Sequence, residues 1–359
     1  MRLRHRRKIR MSADVMRAVV LREFGGPEKL NLEEVPAPTP SSLRDREVLI
    51  RVKSVGVCYH DIINRTGNLP RTKLPSIMGH EIAGEVTAVG SGVQLFRRGD
   101  RVASIQRVHC GRCDLCRRGR STLCKEGVFF GEEIPGGYAE FVVSEEQGLA
   151  KIPDSIPYEE GAICACTIGT AIHVVTSRGA VQPDETVLVT GASGGVGLHA
   201  IQVCRMIGGR VIAVTSSLNK ADRLKEAGAD EVIVAPDLKF ASQVRRLTRG
   251  AGVDVALEIT GALTFDQALR SLAPAGRLIL VGNLETKPVS FMPGLMILKE
   301  LQVLGSFATT TIELSEAFRL VTEKKIRPIV ADVMPLSDAA KAQQMLYDRK
   351  VTGRLVLSV

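Results

Sequence analysis

Cys110, Cys113, Cys116 and Cys124 fall within fifteen residues in the run HCGRCDLCRRGRSTLC, spaced Cys-x2-Cys-x2-Cys-x7-Cys. Four thiolates this close can complete a tetrahedral shell around one zinc ion, which leaves no position for a substrate. Disulfide pairing is the alternative, but the remainder of the chain reads as an intracellular enzyme, where thiols stay reduced. A second group is scattered. VGVCYHD carries Cys58, His60 and Asp61, IMGHEIAGEV carries His80 and Glu81, and ICACTIGTAIH carries Cys164 and Cys166. Singly, a cysteine on a strand or a histidine after a glycine is a packing residue. Together Cys58, His80 and Cys166 offer the three-ligand shell of a catalytic zinc whose fourth position stays open.

The third candidate is a glycine loop, Gly191-Ala192-Ser193-Gly194-Gly195-Val196-Gly197, placed between a strand (TVLVT) and a helix (GLHAIQVCRMIG). Glycines there permit a tight turn and close approach of backbone to a pyrophosphate, while the helix start offers free N–H groups. An ordinary tight turn would have the same composition. An NAD-selecting site places a carboxylate at the end of the second strand, and in RVIAVTSSLNK that position is Thr215. Without the carboxylate a ribose 2′-phosphate is not repelled, and Ser216, Ser217, Lys220 and Arg223 can donate to one. NADP(H) is the expected cofactor and NAD(H) the alternative. For Lys220 and Arg223 a solvated helix face is the alternative.

These groups need two kinds of scaffold. From Met16 to about Lys151 short Val/Ile-rich segments (RAVVL, EVLIRVKSVGV, EIAGEVTAVG, DRVASI, YAEFVV) alternate with Gly and Pro, which predicts a β-rich, barrel-like lobe. From Glu185 the apolar runs TVLVTG, RVIAVT, EVIVA, VDVALEI, RLILVG and LQVLGS alternate with helical stretches, the pattern of a doubly wound parallel sheet. After Phe307 a helix, a strand, a helix and the closing strand GRLVLSV are expected to return to the first lobe. The α/β chain is thus divided into a basic extension (1–15), a β-rich catalytic domain (16–165, completed by 312–359) and a dinucleotide-binding domain (166–311).

At 359 residues two domains are the default. The net charge of +9 invites a nucleic-acid partner, but six of the basic residues fall in Met1–Arg10, leaving +3 for the rest. That basic segment lacks the apolar stretch of a secretory signal; a disordered extension or an over-called start accounts for it. No run of eighteen apolar residues is evident, so no spanning helix, no membrane partner and a cytoplasmic location are expected.

The chain resembles a zinc-containing member of the medium-chain dehydrogenase/reductase superfamily, the alcohol dehydrogenase family. The resemblance covers about Met16 to Val359. It rests on Gly-His-Glu (79–81), the four-cysteine run, the Ala-x-Gly-Gly-Val-Gly loop and the interrupted order of the β-rich lobe. It implies a GroES-like domain followed by a Rossmann domain, with one structural and one catalytic zinc. By it Cys58, His80 and Cys166 are zinc ligands, Cys166 being preferred to Cys164 because it lies four residues before Thr170. Glu81 becomes a carboxylate near the metal, Asp61 the partner of His80, Thr170 a neighbour of the nicotinamide and Arg354 a contact of cofactor phosphate. Gly194, Gly195, Val196 and Gly197 take the pyrophosphate. Cys204, His199, His173 and His109 are assigned to packing or surface.

One departure stands out. Two residues after the first cysteine ligand, alcohol dehydrogenases usually carry Ser or Thr, and this chain carries His60, which can relay a proton near neutral pH. The wording Cys-Tyr-His-Asp with LPRTKLP also resembles the acryloyl-coenzyme A reductase branch, although that branch has Arg at the His60 position. Hydride transfer between NADP(H) and an alcohol or carbonyl is the first expectation, and NADPH-dependent reduction of an enoyl thioester the alternative, in which Arg71 and Lys73 could steer the coenzyme A phosphates although a solvated charged loop is the plainer reading of both. Relatives of this kind are dimers or tetramers, commonly joined near LQVLGS.

Overall fold

The computed structural model describes residues 15–359; the basic extension expected for 1–15 lies almost wholly outside them. Six parallel strands form one sheet in the order Glu231–Val234, Arg210–Thr215, Thr186–Val189, Val253–Glu258, Leu272–Leu280, Gln302–Gly305. Chain order therefore reverses between Thr186–Val189 and Val253–Glu258. Ligands of open α/β sheets bind at such a switch point, outside the carboxyl ends of the strands. The central strands are buried on both faces, Val187, Leu188, Val189, Val255, Ala256 and Leu257 being inaccessible, which is why they read as continuous apolar runs rather than alternating ones.

The β-rich lobe is antiparallel. Glu47–Val57 is its spine, pairing with Glu81–Val89, with Phe141–Glu145 and with the C-terminal strand Arg354–Ser358. A smaller sheet sets Val15–Leu21 against Leu30–Pro36, a strand that the charged wording LNLEEVP conceals. Because Arg354–Ser358 pairs with Glu47–Val57, the chain crosses from the Rossmann domain back to the first lobe. The segment 349–354 runs along the cleft between them.

One feature corrects the sequence reading. The helix Tyr158–Arg178, 21 residues long, is long and apolar enough to span a membrane, where none was expected. Its most apolar window is 72% buried inside the fold. It is apolar because Ile163, Cys164, Ala165, Ile168, Ala171 and Val175 form core with residues of both lobes. Glycines and β-branched residues interrupt its wording, and two wide π-type turns, Cys164–Gly169 and His173–Arg178, interrupt its geometry. Such turns cluster at functional sites because they turn side chains off the regular helical face, and Cys166 lies on the first.

Candidate active site and cofactor cleft

Cys58 ends the spine strand and begins the helix Tyr59–Arg65, whose Asp61 accepts from the Cys58 N–H (3.1 Å). The other Asp61 oxygen lies 3.0 Å from His80 Nδ1. A carboxylate can only accept there, so Nδ1 carries the proton and the Nε2 lone pair is directed away from Asp61. Nε2 lies 3.6 Å from Cys166 Sγ, and the Cys58 and Cys166 sulfurs are 4.0 Å apart. Ligand bonds of about 2.3 Å to sulfur and 2.0 Å to nitrogen at tetrahedral angles require separations of roughly 3.5 to 3.8 Å. The three donors fit a zinc ion. Cys164, the rival, is buried with its thiol donating to Glu160 O (3.2 Å), and burial pushes its pKa far up.

The electrostatics suit a dication. Donation from the Cys166 thiol, with Arg354 and His80 nearby, holds Cys58 well below the ordinary thiol range, whereas Cys166 is held up by its neighbour and by burial. Glu81 is inaccessible to solvent; burial pushes it up to about 7 although Arg354 Nη2, 3.0 Å away, pulls the other way. Neither Glu81 oxygen has a well-directed hydrogen bond. A buried carboxylate so poorly satisfied within the ligand group is a natural reserve ligand.

The four-cysteine lobe has the same metrics in closed form. Its sulfurs approach at 3.5 Å (Cys113–Cys116), 3.8 Å (Cys113–Cys124) and 3.5 Å (Cys124–Cys110). The Cys110 and Cys113 amides point at Cys124 and Cys110 sulfurs (3.3 and 3.4 Å), as around thiolates. These donors fit a structural zinc.

His60 is not free in the cleft. Its Nε2 lies 2.7 Å from Glu132 Oε1, and its ring stacks on Phe129 with centroids 4.7 Å apart. Nε2–H donates to the carboxylate, so in the neutral ring Nδ1 keeps its lone pair. Burial would raise the Glu132 pKa, but His60 and Arg71 bring it below the usual range. Sequence reasoning missed Glu132. The signal was an acidic pair in a stretch of buried aromatics and glycines, FFGEEIPGGY. Arg71, considered above for a phosphate tail, is 3.3 Å from Glu133 and 3.5 Å from Glu132, so its charge is already matched.

A cavity of about 600 Å³ joins this centre to the switch point, lined by Cys58, His60, His80, Cys166 and Thr170 at one end and by Gly194, Gly195, Val196, Thr215, Ser216 and Lys220 at the other. Gly195 opens the helix Gly195–Ile207. A Cβ on Gly195 would lie 3.0 Å from the Arg354 guanidinium carbon, and one on Gly197 would lie 2.6 Å from Ala192 Cα, so larger residues would push the helix off the loop. The unpartnered amides of its first turn and the buried Arg354 suit a pyrophosphate. The loop is anchored from the other lobe, since Gly353 N–H donates to Ser193 O (3.1 Å).

Three cofactor candidates sit differently from expectation. Lys220 is nearly buried and its Nζ donates to Arg349 O and Val351 O, both at 2.7 Å, which leaves one donor rather than three for a phosphate. Arg223 pairs with Glu226 on the surface (2.8 Å). Ser217 is outside the cavity lining, and its backbone bonds Thr215 Oγ1. Arg349, which sequence reasoning did not single out, does line the cavity.

Comparison with known proteins matches both lobes. Residues 44–154 match the alcohol dehydrogenase GroES-like domain model and residues 195–323 the zinc-binding dehydrogenase model. The acryloyl-coenzyme A reductase of Metallosphaera sedula is 35% identical over 344 residues, covering 96% of this chain and 100% of its own. An alcohol dehydrogenase of Geobacillus stearothermophilus is 33% identical over 348 residues, with 96% and 100% covered. The crystal structure of AibC superposes with a TM-score of 0.89 at 54% identity, over 100% of this chain and 99% of that one.

Proposed function

The chain belongs to the zinc-containing medium-chain dehydrogenase/reductase family, and within that family of oxidoreductases we propose that it reduces the conjugated double bond of an enoyl thioester with NADPH. The observation that carries the proposal is the His60–Glu132 pair in the place where an alcohol dehydrogenase presents a hydroxyl. Carbonyl reduction delivers its proton to the substrate oxygen, for which a short hydroxyl beside the metal suffices. Reduction of an enoyl thioester delivers hydride to Cβ and a proton to Cα, and a longer acid held off the metal suits that distance. Similarity to two acryloyl-coenzyme A reductases, at 34% and 35% identity, supports the same choice.

When bound, NADPH supplies the hydride and zinc a Lewis acid. The rest is work for side chains. Cys58, His80 and Cys166 would hold the metal, with Asp61 fixing the His80 tautomer. Glu132 holds the His60 ring through Nε2, which leaves Nδ1 to deliver the proton. Ile63, Leu69, Phe129, Leu284 and Leu346 give the cavity an apolar lining that excludes water. Gln106 Nε2 donates to Thr170 Oγ1 (3.2 Å) and fixes that residue at the junction of the two ends. The choice of NADPH rests on Thr215, which leaves the ribose position without a carboxylate.

The second reading is reversible alcohol or carbonyl chemistry, favoured by a ligand group of the kind that polarises a carbonyl oxygen and by relatives named alcohol dehydrogenase. Purified protein offered NADPH with acryloyl-coenzyme A or with a panel of aldehydes separates the two. Oxidation of NADPH by the thioester and not by aldehydes is expected; turnover confined to aldehydes sinks the first reading.

We also propose a homodimer or homotetramer. Gln302–Gly305 is an unpaired sheet edge, and Phe291, Met292, Ile297 and Leu298 beside it are 52 to 86% exposed. An apolar patch along an open edge is the surface that a second copy covers.

A further inference from the structure

Among the described residues no Asp or Glu lines the cavity, whereas the cations Lys220, Arg349 and Arg354 do. Arg354 lies by the glycine loop and is matched by Glu81. Lys220 follows Thr215 and Ser216 at the close of the strand Arg210–Thr215, and its ammonium holds the Arg349 carbonyl at 2.7 Å, so both residues meet at the cavity wall. They come from different lobes. Lys220 belongs to the Rossmann domain, and Arg349 to the segment leading into the strand Arg354–Ser358.

Arg349 follows the helix Ala339–Tyr347 with φ of 58°, a left-handed backbone that usually falls to glycine at a helix end. Its carbonyl is held by Lys220 Nζ at 2.7 Å, and Val351 O by the same ammonium at 2.7 Å. Its guanidinium forms no ion pair among the described residues. An unmatched arginine beside a buried lysine, in a cavity free of carboxylates, is a site for a dianion.

We propose that Arg349 reads the 2′-phosphate of the cofactor across the interlobe cleft, and that Lys220 is the latch that holds Arg349 in place while giving its remaining N–H to the same ribose. The proposal rests on the NADPH reading above. It also gives the latch a consequence, because the segment 349–354 continues through Gly353, bonded to Ser193, to Arg354 beside Glu81. The group at the adenosine end is thereby tied to the chain that reaches the candidate metal centre.

The test is calorimetric binding of two probes, 2′,5′-ADP and 5′-AMP, alongside NADPH and NADH. Wild type should bind 2′,5′-ADP at least about tenfold more tightly than 5′-AMP. Arg349→Gln should lose most of that ratio with 5′-AMP affinity held within about twofold, and Arg349→Lys should retain part of it. Arg349→Gly relieves the left-handed backbone, so it should lose the ratio without losing thermal stability. Lys220→Met should lower the ratio although Arg349 is present. Wild-type preference that survives in Arg349→Gln overturns the assignment and leaves the NADPH reading standing; wild type with no preference overturns both. An unchanged ratio in Lys220→Met overturns the latch.

Discussion

His60 and the two cysteine groups divide the chemistry from the bracing. Cys58→Ser removes a donor from a three-donor set, so zinc content should fall from two to one per chain, and activity should fall with it while the melting temperature changes little. Cys113→Ser strikes the closed four-sulfur set, which orders a lobe with few apolar contacts of its own. It should lower the melting temperature first, with zinc again near one per chain. Atomic absorption with a thermal scan distinguishes the two; a Cys58→Ser protein that keeps two zincs contradicts the ligand assignment. Glu132→Gln keeps the shape but weakens the charge-assisted bond to His60. We expect kcat to fall about 10- to 100-fold with KM nearly unchanged, the range of an impaired proton donor. An unaltered kcat would remove Glu132 from the account. The residue types and spacings of Cys58, His80 and Cys166 were legible in the sequence. Glu132 and Arg349 were not, since each acquires meaning only from a partner 72 or 129 residues away, His60 or Lys220.

At the scale of elements, the glycine-loop helix is held by a histidine that does no chemistry. His199 Nε2 accepts from Ile329 N–H (3.1 Å), so Nδ1 must carry the proton that it donates to Gly195 O (2.6 Å). Burial drives this ring's pKa down to about 4. The folded state therefore favours the neutral ring and the unfolded chain, near 6.5, takes up the proton first. Stability from this group is complete above pH 6.5 and is lost as pH falls towards 4, by about 3 kcal/mol at the lower limit. Urea titrations across that window should show His199→Gln with a flatter acid limb than wild type; parallel limbs would show that another group governs it. Parallel strands were readable from their apolar runs because they are buried on both faces. The helix Tyr158–Arg178 was not, because glycines and β-branched residues serving its wide turns break the helical wording, while burial between lobes makes it as apolar as a membrane span.

At the scale of the molecule, one cleft gathers groups from both lobes, and short C-terminal contacts fasten those lobes together. The doubly wound parallel character of the Rossmann sheet and the return of the last strand to the first lobe followed from pattern, whereas the order of the strands came from the structure. Which groups face the cleft did not follow, since that depends on how 349–354 crosses it. The open edge at Gln302–Gly305 carries its own prediction. Val303→Lys, placing a charge on this edge strand, should convert the assembly to a smaller species by light scattering; an unchanged mass would move the interface elsewhere.

The central claim is the position that receives hydride. NADPH deuterated at the transferred C4 position, incubated with acryloyl-coenzyme A, should yield propionyl-coenzyme A with deuterium on the β-carbon and solvent hydrogen on the α-carbon, read by NMR or mass spectrometry. Acryloyl-coenzyme A left unlabelled and unreduced, while an aldehyde offered in a parallel incubation gives an alcohol labelled at the carbinol carbon, would contradict the account.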